Sequence, residues 1–202
     1  NVMAGHNMAA LFSVDRFTIT ASASSGGSIS PSGSVAANYG SSQSFTISPA
    51  TGYHIDSVLV DGVNQGAVGS YAFSGVTSNH AIAAYFSIDQ FAITASASAG
   101  GSISPSGTVN VDYGGSQSFT VAPETGYHVD SLVVDGVNQG AVGSYAFSGV
   151  TANHAIAAYF SIDQFTLTAS ASAGGSISPS GPVSVSYGGS QSFTVAPATG
   201  YH

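Results

Sequence analysis

The sequence predicts an all-β chain built as a tandem series of small β-sheet modules. Three observations predict it: a fixed 74-residue period, apolar residues that alternate with a period of two, and clusters of turn-forming residues between the alternating runs. Phe17 opens FTITASAS, Phe91 opens FAITASAS and Phe165 opens FTLTASAS, at intervals of 74 residues. Tyr39, Tyr113 and Tyr187 keep the same spacing, as do the Gly-Tyr-His triplets that end at His54, His128 and His202. No segment shows a sustained helical period.

Within one repeat, Phe17, Ile19, Ala21 and Ala23 alternate with Thr18, Thr20, Ser22 and Ser24, which is the pattern of a strand with one buried face. Gly26-Gly27 breaks that run, and Ser28-Ile29-Ser30 leads into the turn Pro31-Ser32-Gly33. In the second copy Val109, Val111 and Tyr113 share one face of the next strand, and Phe119 and Val121 share one face of the strand after it. Asp135-Gly136 then lies between apolar runs, a pair that suits a two-residue hairpin because both central residues need positive φ. SYAFSGV and NHAIAAYF supply the last two strands, with Ile82, Ala84 and Phe86 on one face in the first copy. The expectation is six or seven short strands per repeat.

The repeat sets the domain organisation. Residues 17–90 and 91–164 are full modules, and they differ at 14 of 74 aligned positions, mostly by exchanges among small or similar residues. Residues 165–202 match 17–54 and form a partial module, whereas residues 1–16 match 75–90 and form the tail of a preceding one. The chain is therefore expected to be an excerpt of a longer repeat protein. Residues 1–16 carry the strand pattern His6, Met8, Ala10, Phe12, which should not be ordered without its partner strands. The connector Ser87-Ile88-Asp89-Gln90 contains neither Gly nor Pro, so successive modules are expected to form a semi-rigid, elongated rod.

Composition excludes several functions. Only 5% of residues are charged, with no lysine, one arginine (Arg16) and a formal net charge of −8, so the chain cannot neutralise phosphates as nucleic-acid binding requires. There is no cysteine, which rules out disulfides and thiolate metal sites. Apolar stretches such as AIAAYF, ending at Phe86, fall far short of the roughly 20 residues needed to span a bilayer. The N-terminal NVMAGHNM has neither a basic segment nor an apolar core and is not a signal peptide.

The ordered set of motifs GSISPSG, V-x-V-x-Y-G, S-F-T-V-x-P-x-x-G-Y-H-V-D-S-L-V-V-D-G and Y-A-F-x-x-V-T-A-N-H-x-I-x-A-x-F resembles the divergent internalin-type B-repeat of bacterial surface proteins. The resemblance covers essentially the whole chain. It implies tandem β-grasp-like modules in a large secreted or surface-anchored bacterial protein; a small sandwich is the other fold expected for each module. It brings no catalytic residues with it.

The candidate chemistry lies in a few polar residues that recur with the repeat. His54 and Asp56, like His128 and Asp130, stand at i and i+2 and could form half a metal site, with Asp61, Asp135, His80 and His154 as the remaining regular candidates. A Zn²⁺ or Ca²⁺ site needs more convergent ligands than this, so no metal site and no cofactor are expected. His80 and His154 are expected to hydrogen-bond a neighbouring loop. No G-x-S-x-G elbow accompanies the Ser, His and Asp residues, and no catalytic residue is assigned. Gly62, Gly66 and Gly69 lack the lysine of a phosphate loop and read as turn residues. Tyr39, Tyr53, Tyr71 and Tyr85 could line a sugar-binding face, though tyrosines at strand spacing more often pair across strands.

The function expected is a non-enzymatic structural or adhesive stalk segment, extracellular or on the cell surface. The alternative is a subunit segment of a self-assembling filament or sheath, because few charges guard the β edges. A carbohydrate-binding module is the weaker third option. Expected partners are neighbouring modules of the same chain, other copies through lateral or end-to-end association, and surface glycans.

Overall fold

A computed structural model of the chain describes Gly5 and residues 7–202. The chain divides into two units, residues 1–89 and 90–202. All regular structure among the described residues is β, as the repeat pattern predicts.

In the first unit the strands are β1 (Arg16–Ala23), β2 (Gly27–Ser30), β3 (Gly33–Asn38), β4 (Gln43–Pro49), β5 (Tyr53–Val60), β6 (Val63–Asn64), β7 (Ser70–Phe73) and β8 (His80–Ile88). They form a five-stranded sheet of order β3-β1-β8-β5-β6 and a three-stranded sheet of order β2-β4-β7. At the centre of the larger sheet β1 and β8 run parallel, with Ile19 opposite His80, while β3 and β5 flank them in antiparallel register. A parallel pair cannot be closed by a tight turn, so the intervening residues of the repeat serve as the crossover. That crossover contains the small sheet, which lies where it can cover the large one.

The alternating pattern explains the packing. Ile19 and Ala21 of β1, Val58 and Val60 of β5, and Ile82 and Ala84 of β8 turn the inner face of the large sheet apolar. Ile29, Phe45, Ile47 and Phe73 of the small sheet complete the same core, so each full repeat is a two-sheet sandwich. Val76, in the loop before β8, is also buried in it; its backbone accepts from Gly40 and donates to Ser41, which clips the loop onto the turn after β3.

Two local features matter below. Asp61 and Gly62, between β5 and β6, have φ of 48° and 81°, the conformation that the Asp-Gly pair was expected to supply. A bulge interrupts the β5–β8 pairing between Ile55 and Ser57. Sequence patterning missed β2, where Gly27–Ser30 reads as the approach to a turn: with one apolar residue it is too short to show alternation, so the strand count is eight and not six or seven.

The second repeat reproduces the arrangement with β9 (Gln90–Ala97), β10 (Gly101–Ser104), β11 (Gly107–Asp112), β12 (Ser116–Pro123), β13 (Tyr127–Val134), β14 (Val137–Asn138), β15 (Ser144–Ser148) and β16 (His154–Ile162). Its core is the equivalent set around Ile93, Phe119, Leu132 and Ile156. The same unit continues into β17 (Gln164–Ala169), β18 (Gly175–Ser178), β19 (Gly181–Ser186) and β20 (Thr194–Pro197), which pair only as β17-β19 and β18-β20. No side chain of residues 165–202 is buried. Leu167 is 42% exposed where Ile19 and Ile93 are 0%, and β17 pairs with β19 alone.

At the other end, residues 7–15 form no strand, and Met8, Leu11 and Phe12 are exposed. The expected pattern of His6, Met8, Ala10 and Phe12 thus has no partner strand at its last three positions, and His6 lies outside the described residues.

Candidate functional site

The polar residues singled out by sequence are brought together in two recurring His–Asp pairs per repeat. The first pair sits where β5 begins and β8 ends. His54 Nδ1 donates to Asp89 Oδ1 at 2.7 Å, and His128 Nδ1 donates to Asp163 Oδ1 at 2.8 Å. The i, i+2 partner expected from the strand period is not used: the bulge after Ile55 breaks the alternation, and Asp56 instead accepts from Ser57 Oγ at 3.2 Å.

The second pair joins the β5–β6 hairpin to the start of β8. Asp61 Oδ2 accepts from His80 Nδ1 at 2.7 Å, and its Oδ1 accepts from the Ala81 N–H at 2.8 Å. Asp135 holds His154 and Ala155 in the same way at 2.7 and 2.9 Å. The hydrogen bond from His80, helped by that from Ala81, lowers the pKa of Asp61 below the ordinary carboxylate range, and for Asp135 the backbone bond from Ala155 leads. The His80 and His154 rings also lie against Phe73 and Phe147, each at 4.8 Å between centroids. Both histidines therefore bind a neighbouring loop, as expected.

One of these pairs has a hydroxyl beside it. Ser78 Oγ lies 3.4 Å from His80 Nε2, while Asp61 holds the other ring nitrogen, so Ser78, His80 and Asp61 stand in the order of a nucleophile, base and orienter. The Ser78 contact is longer than the 2.6–3.2 Å of an activated hydroxyl. The second repeat has Ala152 at that position, although it keeps His154 and Asp135. The part that recurs is the His–Asp link between hairpin and strand, which is the structural part. Among the described residues no cluster of three or more His, Asp or Glu side chains could hold a metal ion.

The aromatic candidates divide. A Cβ on Gly26 would overlap the Tyr53 ring and one on Gly27 would overlap Phe86, so these two rings lie directly on glycine backbone and seal the sandwich. Tyr71 meets Phe73 edge-on at 5.0 Å. Tyr53 and Tyr71 are thus committed to packing. Tyr39, 6.4 Å from Phe17, and Tyr85 remain exposed. Gly62 and Gly66 are turn residues with positive φ, and Asn64 Oδ1 accepts from the Gly66 N–H at 2.7 Å.

A concavity in the third repeat is lined by Gly174, Ile177, Val195, Tyr201 and His202, among others. The equivalents of Ile177 and Val195 are Ile29 and Ile47 in the first repeat and Ile103 and Val121 in the second, all buried. The concavity is therefore lined by residues whose equivalents in the full repeats face a sandwich core.

Sequence reasoning missed the side chains that fasten β8 to β1. Asn79 Oδ1 accepts from the Thr18 N–H at 2.8 Å, and Ser24 Oγ accepts from the Phe86 N–H at 3.0 Å, with Asn153 and Ser98 repeating both bonds. The available signal was the retention of Asn79-His80 as Asn153-His154 just before a strand.

Comparison with known proteins gives one family. The divergent InlB B-repeat domain matches residues 17–90, 91–164 and 165–202. No curated protein and no solved structure matches the chain significantly.

Proposed function

We propose that this chain, which belongs to the divergent InlB B-repeat family, is a non-enzymatic structural or adhesive stalk segment of a large secreted or cell-surface bacterial protein. The family is one of repeat modules in bacterial surface proteins and is not typically catalytic. Residues 17–90 and 91–164 serve as its load-carrying modules, 165–202 as part of a further one, and 1–16 as the tail of the one before.

One observation carries this reading: in both full repeats the reactive polar side chains are spent on fastening strands to one another. The His–Asp pairs and the Asn79 and Asn153 bonds tie β8 and β16 to their neighbours, and these long strands end at the boundary to the next repeat. A parallel pair such as β1-β8, pulled at its opposite ends, resists by shearing many backbone bonds together, which suits a tether.

Single-molecule extension tests it. Each full repeat should unfold as a separate event, and 74 residues should release on the order of 25 nm of chain at about 3.3–3.6 Å per residue. A chain that extends without discrete events would overturn the stalk reading. Protease treatment of intact cells should remove the parent protein, and its full protection would overturn the surface location.

A further inference from the structure

The connection between the second and third repeats is one residue long: β16 ends at Ile162 and β17 begins at Gln164. Asp163 bonds through both its backbone and its side chain. Its N–H donates to the Gly126 carbonyl at 2.9 Å and its carboxylate accepts from His128, both on the second repeat. Its own carbonyl accepts from the Tyr187 N–H at 2.8 Å, on the third.

Tyr187 then reaches back. Gly126 has φ of +81°, and a Cβ built on it would overlap the Tyr187 ring, so the ring lies directly on the glycine backbone. Its centroid lies 6.4 Å from that of Phe165, with the two ring planes tilted at 46°. Tyr39 makes the equivalent pair with Phe17 but has no described Gly-Tyr-His segment before it, and it is 61% exposed against 47% for Tyr187. Gly200, the next equivalent of Gly126, has open space above it.

We infer that the Gly-Tyr-His segment of the second repeat is a docking surface for the tyrosine of the third, with Gly126 as the socket, Tyr187 as the plug and the His128–Asp163 pair holding the connector between them. The partner it fits is the planar aromatic side chain carried on the turn that follows β19. Glycine is required twice over at the socket, by its positive φ and by the ring that occupies the place of a Cβ. The ring contact needs no hydroxyl, so phenylalanine should serve in place of tyrosine.

This inference rests on the reading of the chain as a series of coupled modules, and its test is separate from the extension experiment. In the NMR spectrum of the full chain, the Gly126 Hα signals should lie upfield of those of Gly200, because an aromatic ring covers only the former. Tyr187→Ala should remove that displacement, and should give residues 127–162 and 165–186 different alignment tensors where the unaltered chain gives one. Tyr187→Phe should retain both features. Unchanged Gly126 signals in Tyr187→Ala, or a Tyr187→Phe variant as perturbed as Tyr187→Ala, would overturn the inference. Signals of Ile93 and Leu132 in the core of the second repeat report that it remains folded. A chain that unfolds repeat by repeat yet shows no ring effect at Gly126 loses the clamp and keeps the stalk.

Discussion

At the scale of single residues, a nearly uncharged chain has concentrated its electrostatics in a few places. Asp61 and Asp135 have pKa values below the ordinary range because their hydrogen bonds stabilise the ionised form. A depressed native pKa contributes stability above the unfolded value of about 3.9, and that contribution disappears as pH falls through the lower native value. The double variant Asp61→Asn, Asp135→Asn should therefore melt below the unaltered chain at neutral pH, and the gap should close below about pH 4. Thermal melts across pH 2–7, monitored by circular dichroism, check this; a gap independent of pH would show that shape, and not ionisation, matters at these sites.

The glycines give a second contrast at this scale. Gly100 and Gly107 both have positive φ, 95° and 77°, but a Cβ on Gly100 would overlap the Tyr127 ring, while Gly107 has open space. Alanine at either position incurs backbone strain of roughly 1–3 kcal/mol. Gly100→Ala must in addition displace the ring, so it should be the more destabilising in chemical denaturation. Equal losses would mean that strain alone governs both positions.

At the scale of elements, burial is decided by which strands are present to cover a residue. Ile93→Ala should cost about 2–5 kcal/mol, the range for emptying a buried aliphatic site. Leu167→Ala, at the equivalent place on β17, should stay within about 0.5 kcal/mol, as for an exposed position. Urea denaturation of both variants checks the pair, and a large loss for Leu167→Ala would show that β17 is covered in solution. The same principle explains what could be read in advance. Alternation along Phe17–Ala23 and along Ile82–Phe86 revealed the core faces because each strand has one wet and one dry side. The Asp61-Gly62 turn was legible because its conformation restricts the residue types. The parallel pairing of β1 with β8 was not legible, since no local pattern tells a strand which distant neighbour it will have. Nor was the His54–Asp89 pair, whose partners stand 35 residues apart and meet through the antiparallel pairing of β5 with β8.

At the scale of the whole molecule, the two full repeats and the partial one should differ, within the 202-residue chain, in how tightly they hold their hydrogen bonds. Backbone amides exchange through openings whose free energy rises with the buried surface that must be exposed. The strands β1–β8 and β9–β16 each enclose a core of twelve buried residues, whereas residues 165–202 bury none. The amides at Ile103 and Val121, which pair β10 with β12, should thus exchange with the cooperative opening of the second repeat. Those at Ile177 and Val195 make the same pairing between β18 and β20 but lack the covering sheet. They should exchange at least two orders of magnitude faster, since a difference of about 2.7 kcal/mol in opening free energy corresponds to a factor of 100 and the burial of a single aliphatic side chain contributes comparably. Hydrogen exchange followed by NMR on the full chain measures both pairs in one sample. Equal protection would mean that the third repeat is stabilised by contacts other than a core of its own, with association between copies the first to examine by repeating the measurement at lower concentration.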